Sequence, residues 1–251
     1  MSTDFDLTRK VAIVTGGNGG IGYGIAHGLA QAGASIMVAA RNHNKTTQAV
    51  AALRELGVEA IGMTTDVQNE ASVQAMVKTA VDTFGRIDIL VNNAGINVRK
   101  APQDYTLDEW QEVINTNLTG VFLCCREVYP HLFKAGGGKI INIGSMTSIF
   151  GSSVSPAYAA TKGAVVQFTK SLAIFWAADN IQVNVILPGW IHTDLTAGSS
   201  ADRYNAIKAR IPHGRWGEPN ELAGTAVFLA SRASDYINGI ALPVDGGYTS
   251  R

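Results

Sequence analysis

The stretch Val11-Ala12-Ile13-Val14-Thr15-Gly16-Gly17-Asn18-Gly19-Gly20-Ile21-Gly22 passes without a break from a β-branched apolar run into a cluster of glycines and then into a helix-like pattern. Gly16, Gly20 and Gly22 let the backbone turn tightly and approach a bulky anion, and the free amides at the start of the following helix stabilise its charge. A glycine pattern alone is a weak signal. After the first strand of an alternating series it predicts a site for the pyrophosphate of a dinucleotide, with Asn18 and Ile21 on the same loop. That series continues outward. Apolar β-rich runs at Val11 to Thr15, Ser35 to Ala39, Ala60 to Thr64, Ile87 to Asn92, Lys139 to Ile143, Gln182 to Leu187 and Ile240 to Val244 predict seven strands. Helical spacing of apolar residues fills Gly20 to Ala32, Asn44 to Leu56, Ala71 to Phe84, Leu107 to Lys134, Tyr158 to Ala178 and Pro219 to Ala230. The expected fold class is α/β: a doubly wound, seven-stranded parallel sheet in one domain over residues 1–251.

Each polar or glycine-rich cluster directly follows a strand. In such sheets the ligand crevice lies at the carboxyl ends of the strands, so these clusters converge on one edge. After the second strand stands Ala39-Ala40-Arg41-Asn42. A carboxylate there would bind the ribose hydroxyls of NAD; instead Arg41 is placed to pair with a 2′-phosphate, so NADP(H) is the expected cofactor, with NAD(H) possible. Asp66-Val67, Asn92-Asn93-Ala94-Gly95, Ser145 and Pro188-Gly189-Trp190 follow later strands. Tyr158-Ala-Ala-Thr-Lys162 opens a helix, and residues four apart share a face. An ammonium beside the phenol favours the phenolate and lowers its pKa from about 10 toward working pH, as an acid/base catalyst needs. Ser145 can donate a hydrogen bond to the same substrate oxygen.

Composition narrows the classes. Among 251 residues, twenty Lys and Arg balance twenty Asp and Glu without runs, which argues against nucleic acid or an anionic membrane as partner. Met1 to Lys10 has no apolar core, so it is no secretory signal, and a cytosolic location is expected. The longest uncharged stretch, Ile140 to Thr161, is interrupted by glycine, serine and proline and predicts no membrane span. The two cysteines, Cys124 and Cys125, are adjacent and fit a reducing compartment. Five histidines show no metal-ligand spacing, so no metal is expected.

Taken together, Thr15-Gly16-x-x-x-Gly20-x-Gly22, Asn92-Asn93-Ala94-Gly95, Asn117, Ser145, Tyr158-x-x-x-Lys162 and Pro188-Gly189-x-x-x-Thr193 resemble the short-chain dehydrogenases/reductases, in order and spacing over essentially the whole chain. The resemblance implies a Rossmann-like fold and hydride transfer between a nicotinamide cofactor and an alcohol or ketone carbon. It implies Tyr158 as proton donor and acceptor, Ser145 as orienter of the substrate oxygen, and Lys162 on the nicotinamide ribose, lowering the tyrosine pKa. Asn117 would hold a water joining Lys162 to a proton relay. Asn93, Ala94 and Gly95 would line the cofactor, Asp66 and Val67 would flank its adenine, and Ile191 and Thr193 would meet the carboxamide. A homotetramer is the family's expectation. Two positions depart from the family pattern: Asn18-Gly19 stands where many NADP-dependent members carry Ser-Arg, and Phe175 where members often carry glutamate.

The segment from Trp190 to Trp216, with Gly198, Ser199 and Ser200, is expected to form a mobile lid over a small-molecule alcohol. The flanks Asn92 to Arg99, Ile211 to Gly217 and Leu242 to Gly247 resemble the sugar-acid branch of the family, which includes gluconate 5-dehydrogenase and 2-deoxygluconate 3-dehydrogenase. Arg99 is a candidate for a substrate carboxylate, and equally for a loop-structuring arginine. Competing readings are reduction of 3-oxoacyl groups on acyl carrier protein, reduction of a bulky ketone in an apolar pocket of Trp190, Phe150 and Met146, and a nucleotide-binding regulatory protein without catalysis.

Overall fold

The computed structural model describes residues 3–198 and 200–250. Seven strands, β1 (Val11–Thr15), β2 (Ser35–Ala40), β3 (Ala60–Thr64), β4 (Ile89–Asn92), β5 (Gly138–Ile143), β6 (Ile181–Pro188) and β7 (Ala241–Val244), form one all-parallel sheet in the order β3-β2-β1-β4-β5-β6-β7. Between them run α1 (Gly20–Gln31), α2 (His43–Arg54), α3 (Glu70–Phe84), α4 (Leu107–Ile114), α5 (Gly120–Lys134), α6 (Pro156–Phe175), α7 (Ala201–Lys208) and α8 (Ala223–Ala230). The fold is the expected Rossmann-like single domain.

Alternation of side chains along each strand divides the core between two faces. Ile13, Met37, Leu90 and Ile140 lie in a cluster with residues of α3, α5 and α6, while Val14, Ile36, Val91 and Ile141 lie in another with residues of α1 and α8. Every residue of β1 and β6 is buried, as a sheet covered on both sides requires. Close packing also explains two glycines: a Cβ on Gly24 would stand 2.4 Å from the Pro219 carbonyl oxygen, and one on Gly28 2.5 Å from the Ala223 Cβ. The helix carrying the glycine turn is thereby pressed onto the segment leading into α8.

Three expectations need correction. The helix read over Leu107 to Lys134 is two helices joined by a π-helical turn at Asn115–Thr119. The wider turn carries Asn117 into the interior, where its side chain bonds the Ile96 backbone, and a uniform 3.6-residue count conceals it. Pro219–Leu222 is a 3-10 turn ahead of α8. Helix α7 was not anticipated, because only Ile207 of its eight residues is buried and no apolar stripe marks it; Ser200 caps it by accepting from the Arg203 amide at 3.3 Å.

The order reverses between β1 and β4, where the chain leaves toward β2 and β3 and returns on the other side. That switch point opens a crevice at the strands' carboxyl ends.

Candidate active site

The crevice is a cleft of about 650 Å³. One end is built from β1 and β2. Gly16 and Gly20 adopt left-handed backbone angles (φ 63° and 50°), which swing the loop around the end of β1. The turn is clamped from β4: the Asn93 side chain donates to the carbonyls of Thr15 (3.0 Å) and Gly16 (3.1 Å), and the Thr15 hydroxyl accepts from the amides of Asn93 and Ala94. Gly22 lies behind the turn rather than in the cleft, and a Cβ there would stand 2.3 Å from both Asn93 Nδ2 and the Gly16 oxygen. Gly19, at the N-cap of α1, has no side chain to cap it, so the first amides of the helix carry no competing side-chain acceptor. Asn18 donates to the Asn42 carbonyl and the Thr46 hydroxyl, fixing the glycine loop to the head of α2. Arg41 is exposed, lines the cleft, and makes no hydrogen bond or ion pair among the described residues. Ile21, Asp66 and Val67 complete this end.

The other end gathers residues from β5, α6 and β6. Ser145 is the cap of a 3-10 turn, its hydroxyl accepting from the Thr147 amide at 3.1 Å. Ser148 links that turn to α6, donating to the Lys162 carbonyl (2.8 Å) and accepting from the Ser145 amide (3.3 Å). Helix α6 starts at Pro156, a residue pre-set for a first helical turn, which puts Tyr158 and Lys162 one turn apart facing the cleft. Lys162 is buried and donates to the Ile143 carbonyl at 2.7 Å. Gly95 opens the space between these groups: a Cβ there would meet Asn117 Oδ1 at 3.3 Å and Lys162 Nζ at 3.7 Å. Asn117 itself sits outside the cleft lining, in the layer behind Gly95, held from both sides by the Ile96 amide (2.8 Å) and carbonyl (2.9 Å). Pro188, Gly189, Trp190, Ile191 and Thr193 form the wall after β6. A Cβ on Gly189 would fall 2.7 Å from the Asp245 Cα.

Burial pushes the Tyr158 phenol above its ordinary pKa, and the influences that pull it back are hydrogen bonding with Ser145 and the positive charge of Arg99. Lys162 Nζ stands 5.4 Å from the Tyr158 ring centroid, so the ammonium does lie beside the phenol, and burial pushes that ammonium down to about 8. Arg99 lines the cleft and donates to the Leu195 carbonyl at 3.0 Å, tying the loop after β4 to the segment 190–216. Met146 and Trp190 line the cleft as anticipated, but Phe150 does not; it turns out to pack edge-on against Tyr248. Within the segment 190–216, Trp190, His192, Tyr204 and Trp216 stack on one another with ring centroids 4.9–6.0 Å apart. Ser199, read with Gly198 and Ser200 as part of a lid, lies outside the described residues.

Sequence reading missed Asn97, Thr147 and Lys45 in the lining. Asn97 Oδ1 and Thr147 Oγ1 are buried without a hydrogen-bond partner among the described residues; Asn97 belongs to the Asn92 to Arg99 flank that resembles the sugar-acid branch, and nothing in the sequence marks Thr147. Lys45 carried a signal: a cation in the first turn of a helix opposes the dipole and calls for an anion nearby.

A family model described as "Enoyl-(Acyl carrier protein) reductase" matches residues 16–249. The chain belongs to the short-chain dehydrogenase/reductase family. It is 45% identical to the 2-dehydro-3-deoxy-D-gluconate 5-dehydrogenase of Bacillus subtilis, over 98% of this chain and 97% of that protein. It is 40% identical to the 5-keto-D-gluconate 5-reductase of Escherichia coli K12, over 98% of each. Among solved structures it is similar to a gluconate 5-dehydrogenase from Burkholderia cenocepacia in complex with NADP and tartrate, at a TM-score of 0.95 and 41% identity, covering 99% of this chain and 98% of that one. The chain is thus an oxidoreductase of this family, acting on a CH–OH group of a small molecule with a nicotinamide dinucleotide. The cleft fits such a cofactor. Glycine replaces side chains where the Gly16–Gly20 loop bends and where Gly95 opens before Lys162, and the uncapped start of α1 supplies amides for a pyrophosphate.

Proposed function

We propose that the chain transfers a hydride between NADP(H) and a secondary alcohol carbon of a sugar acid, gluconate and 5-ketogluconate being the type pair. The observation that carries this is one continuous cleft with an unpaired Arg41 at one end and Tyr158, Ser145 and Arg99 at the other. The similarity to enzymes named for gluconate derivatives supports the substrate class. When bound, the nicotinamide supplies the hydride acceptor or donor. Arg41 would pair with the 2′-phosphate, Lys162 would bind the nicotinamide ribose, and Ile191 and Thr193 would meet the carboxamide. Ser145 donates to the substrate oxygen and holds it as charge develops. Tyr158 would accept the substrate's hydroxyl proton in oxidation and return a proton to the carbonyl oxygen in reduction. Asn117 positions a water that connects Lys162 to solvent. Arg99 forks onto the substrate carboxylate, and the segment 190–216 acts as a lid, with Trp190 over the substrate.

The chain works in the cytoplasm as a homotetramer. Low charge content and the exposed Ile174 and Phe175 at the end of α6, each 80% accessible, support a covered surface there. Following nicotinamide absorbance with purified protein tests the substrate reading, offering gluconate and related sugar acids beside a 3-oxoacyl thioester and apolar ketones. Turnover of sugar acids is expected; turnover of only the thioester or the ketones would discard the sugar-acid reading.

A further inference from the structure

The salt bridge between Lys45 in the first turn of α2 and Asp194, just past Thr193, spans the cleft from the cofactor's adenosine end to the segment 190–216, at 2.8 Å. Both residues line the cleft, and Lys45 lies four residues beyond Arg41. The loop below is closed in: a Cβ on Gly20 would lie 3.2 Å from Thr193 Cγ2. We infer that Lys45 is a second 2′-phosphate ligand beside Arg41, and that Asp194 competes with the phosphate for it, so that binding of the phosphorylated cofactor unfastens the segment 190–216 from α2.

The charges favour this exchange. Lys45 and Asp194 side chains are 55% and 92% exposed, and an ion pair that open to water contributes little. A phosphate monoester carries a charge of about −1.5 to −2, against −1 for the carboxylate, and accepts from Lys45 and Arg41 together. The Asn42 side chain already caps the Lys45 amide, but the dipole at the head of α2 still adds to the attraction, since an anion rather than a cation belongs at that end of a helix. NAD, with two hydroxyls in place of the phosphate, offers Lys45 nothing better than Asp194 and leaves the bridge closed.

The inference rests on the NADP reading above, and calorimetric titration of the full chain with NADP and with NAD separates the two. Lys45→Ala is expected to raise the Kd for NADP about tenfold, one charge-assisted contact, and to leave the Kd for NAD within about twofold. Asp194→Asn is expected to tighten NADP severalfold without affecting NAD, and this gain should vanish when Lys45→Ala is also present. Both side chains are exposed, so folding is unaffected, and a melting temperature equal to wild type checks this. An unchanged NADP-to-NAD ratio in Lys45→Ala, with Arg41→Ala collapsing that ratio, would overturn this inference alone. Weaker NADP binding in Asp194→Asn would overturn the competition. A wild-type protein that binds NAD as tightly as NADP would overturn both this inference and the NADP reading.

Discussion

For single residues two titratable groups matter most, the half-buried Tyr158 and the buried Lys162. Burial disfavours the Tyr158 phenolate, so in the proposed mechanism reduction starts from the protonated phenol, whereas alcohol oxidation requires that proton to leave first. Tyr158→Phe is expected to bind cofactor as wild type does and to lose at least about a hundredfold in kcat, read by calorimetry and by turnover; near wild-type turnover would remove Tyr158 from the chemistry. Lys162 makes a prediction in the opposite currency, stability. Its folded pKa of about 8 lies below the ordinary 10.5, so between those values the unfolded chain binds more protons and stability rises with pH. Lys162→Met is expected to abolish activity, flatten that rise between about pH 8 and 10.5, and raise the melting temperature at pH 7. A melting temperature that falls at pH 7 would show that the bond to the Ile143 carbonyl outweighs the cost of burying the charge. The Tyr-x-x-x-Lys pair was legible in the sequence because helical spacing needs no tertiary context. The ordering of forces on the phenol was not, since burial and the approach of Arg99 exist only in the folded chain.

At the scale of elements, the glycine turn and its partner strand behave as one unit. Gly22→Ala puts a methyl 2.3 Å from Asn93 Nδ2 and the Gly16 oxygen, and something must move. The expected loss is about 1–3 kcal/mol of stability, measured by urea unfolding, together with weakened binding of both NAD and NADP. Unaltered binding of both would mean that the Asn93 clamp is not what shapes the turn. Strand and helix order was readable because seven apolar runs each ended in a turn-forming or polar cluster. The π-turn at Asn115–Thr119 was not, because it keeps apolar residues roughly in phase while inserting one extra residue, and α7 was not, because a helix lying on the surface needs no apolar stripe.

At the scale of the whole molecule, exposed Ile174 and Phe175 and the low share of charge predict assembly. Light scattering is expected to return four times the 26.5 kDa chain mass, and a monomer at working concentration would contradict this. The most direct test of the central claim is the nicotinamide absorbance change when wild-type protein meets gluconate with NADP and, separately, with NAD. Turnover with NADP at a kcat/KM well above that with NAD is expected; no turnover of gluconate with either cofactor, despite cofactor binding, would contradict the sugar-acid assignment.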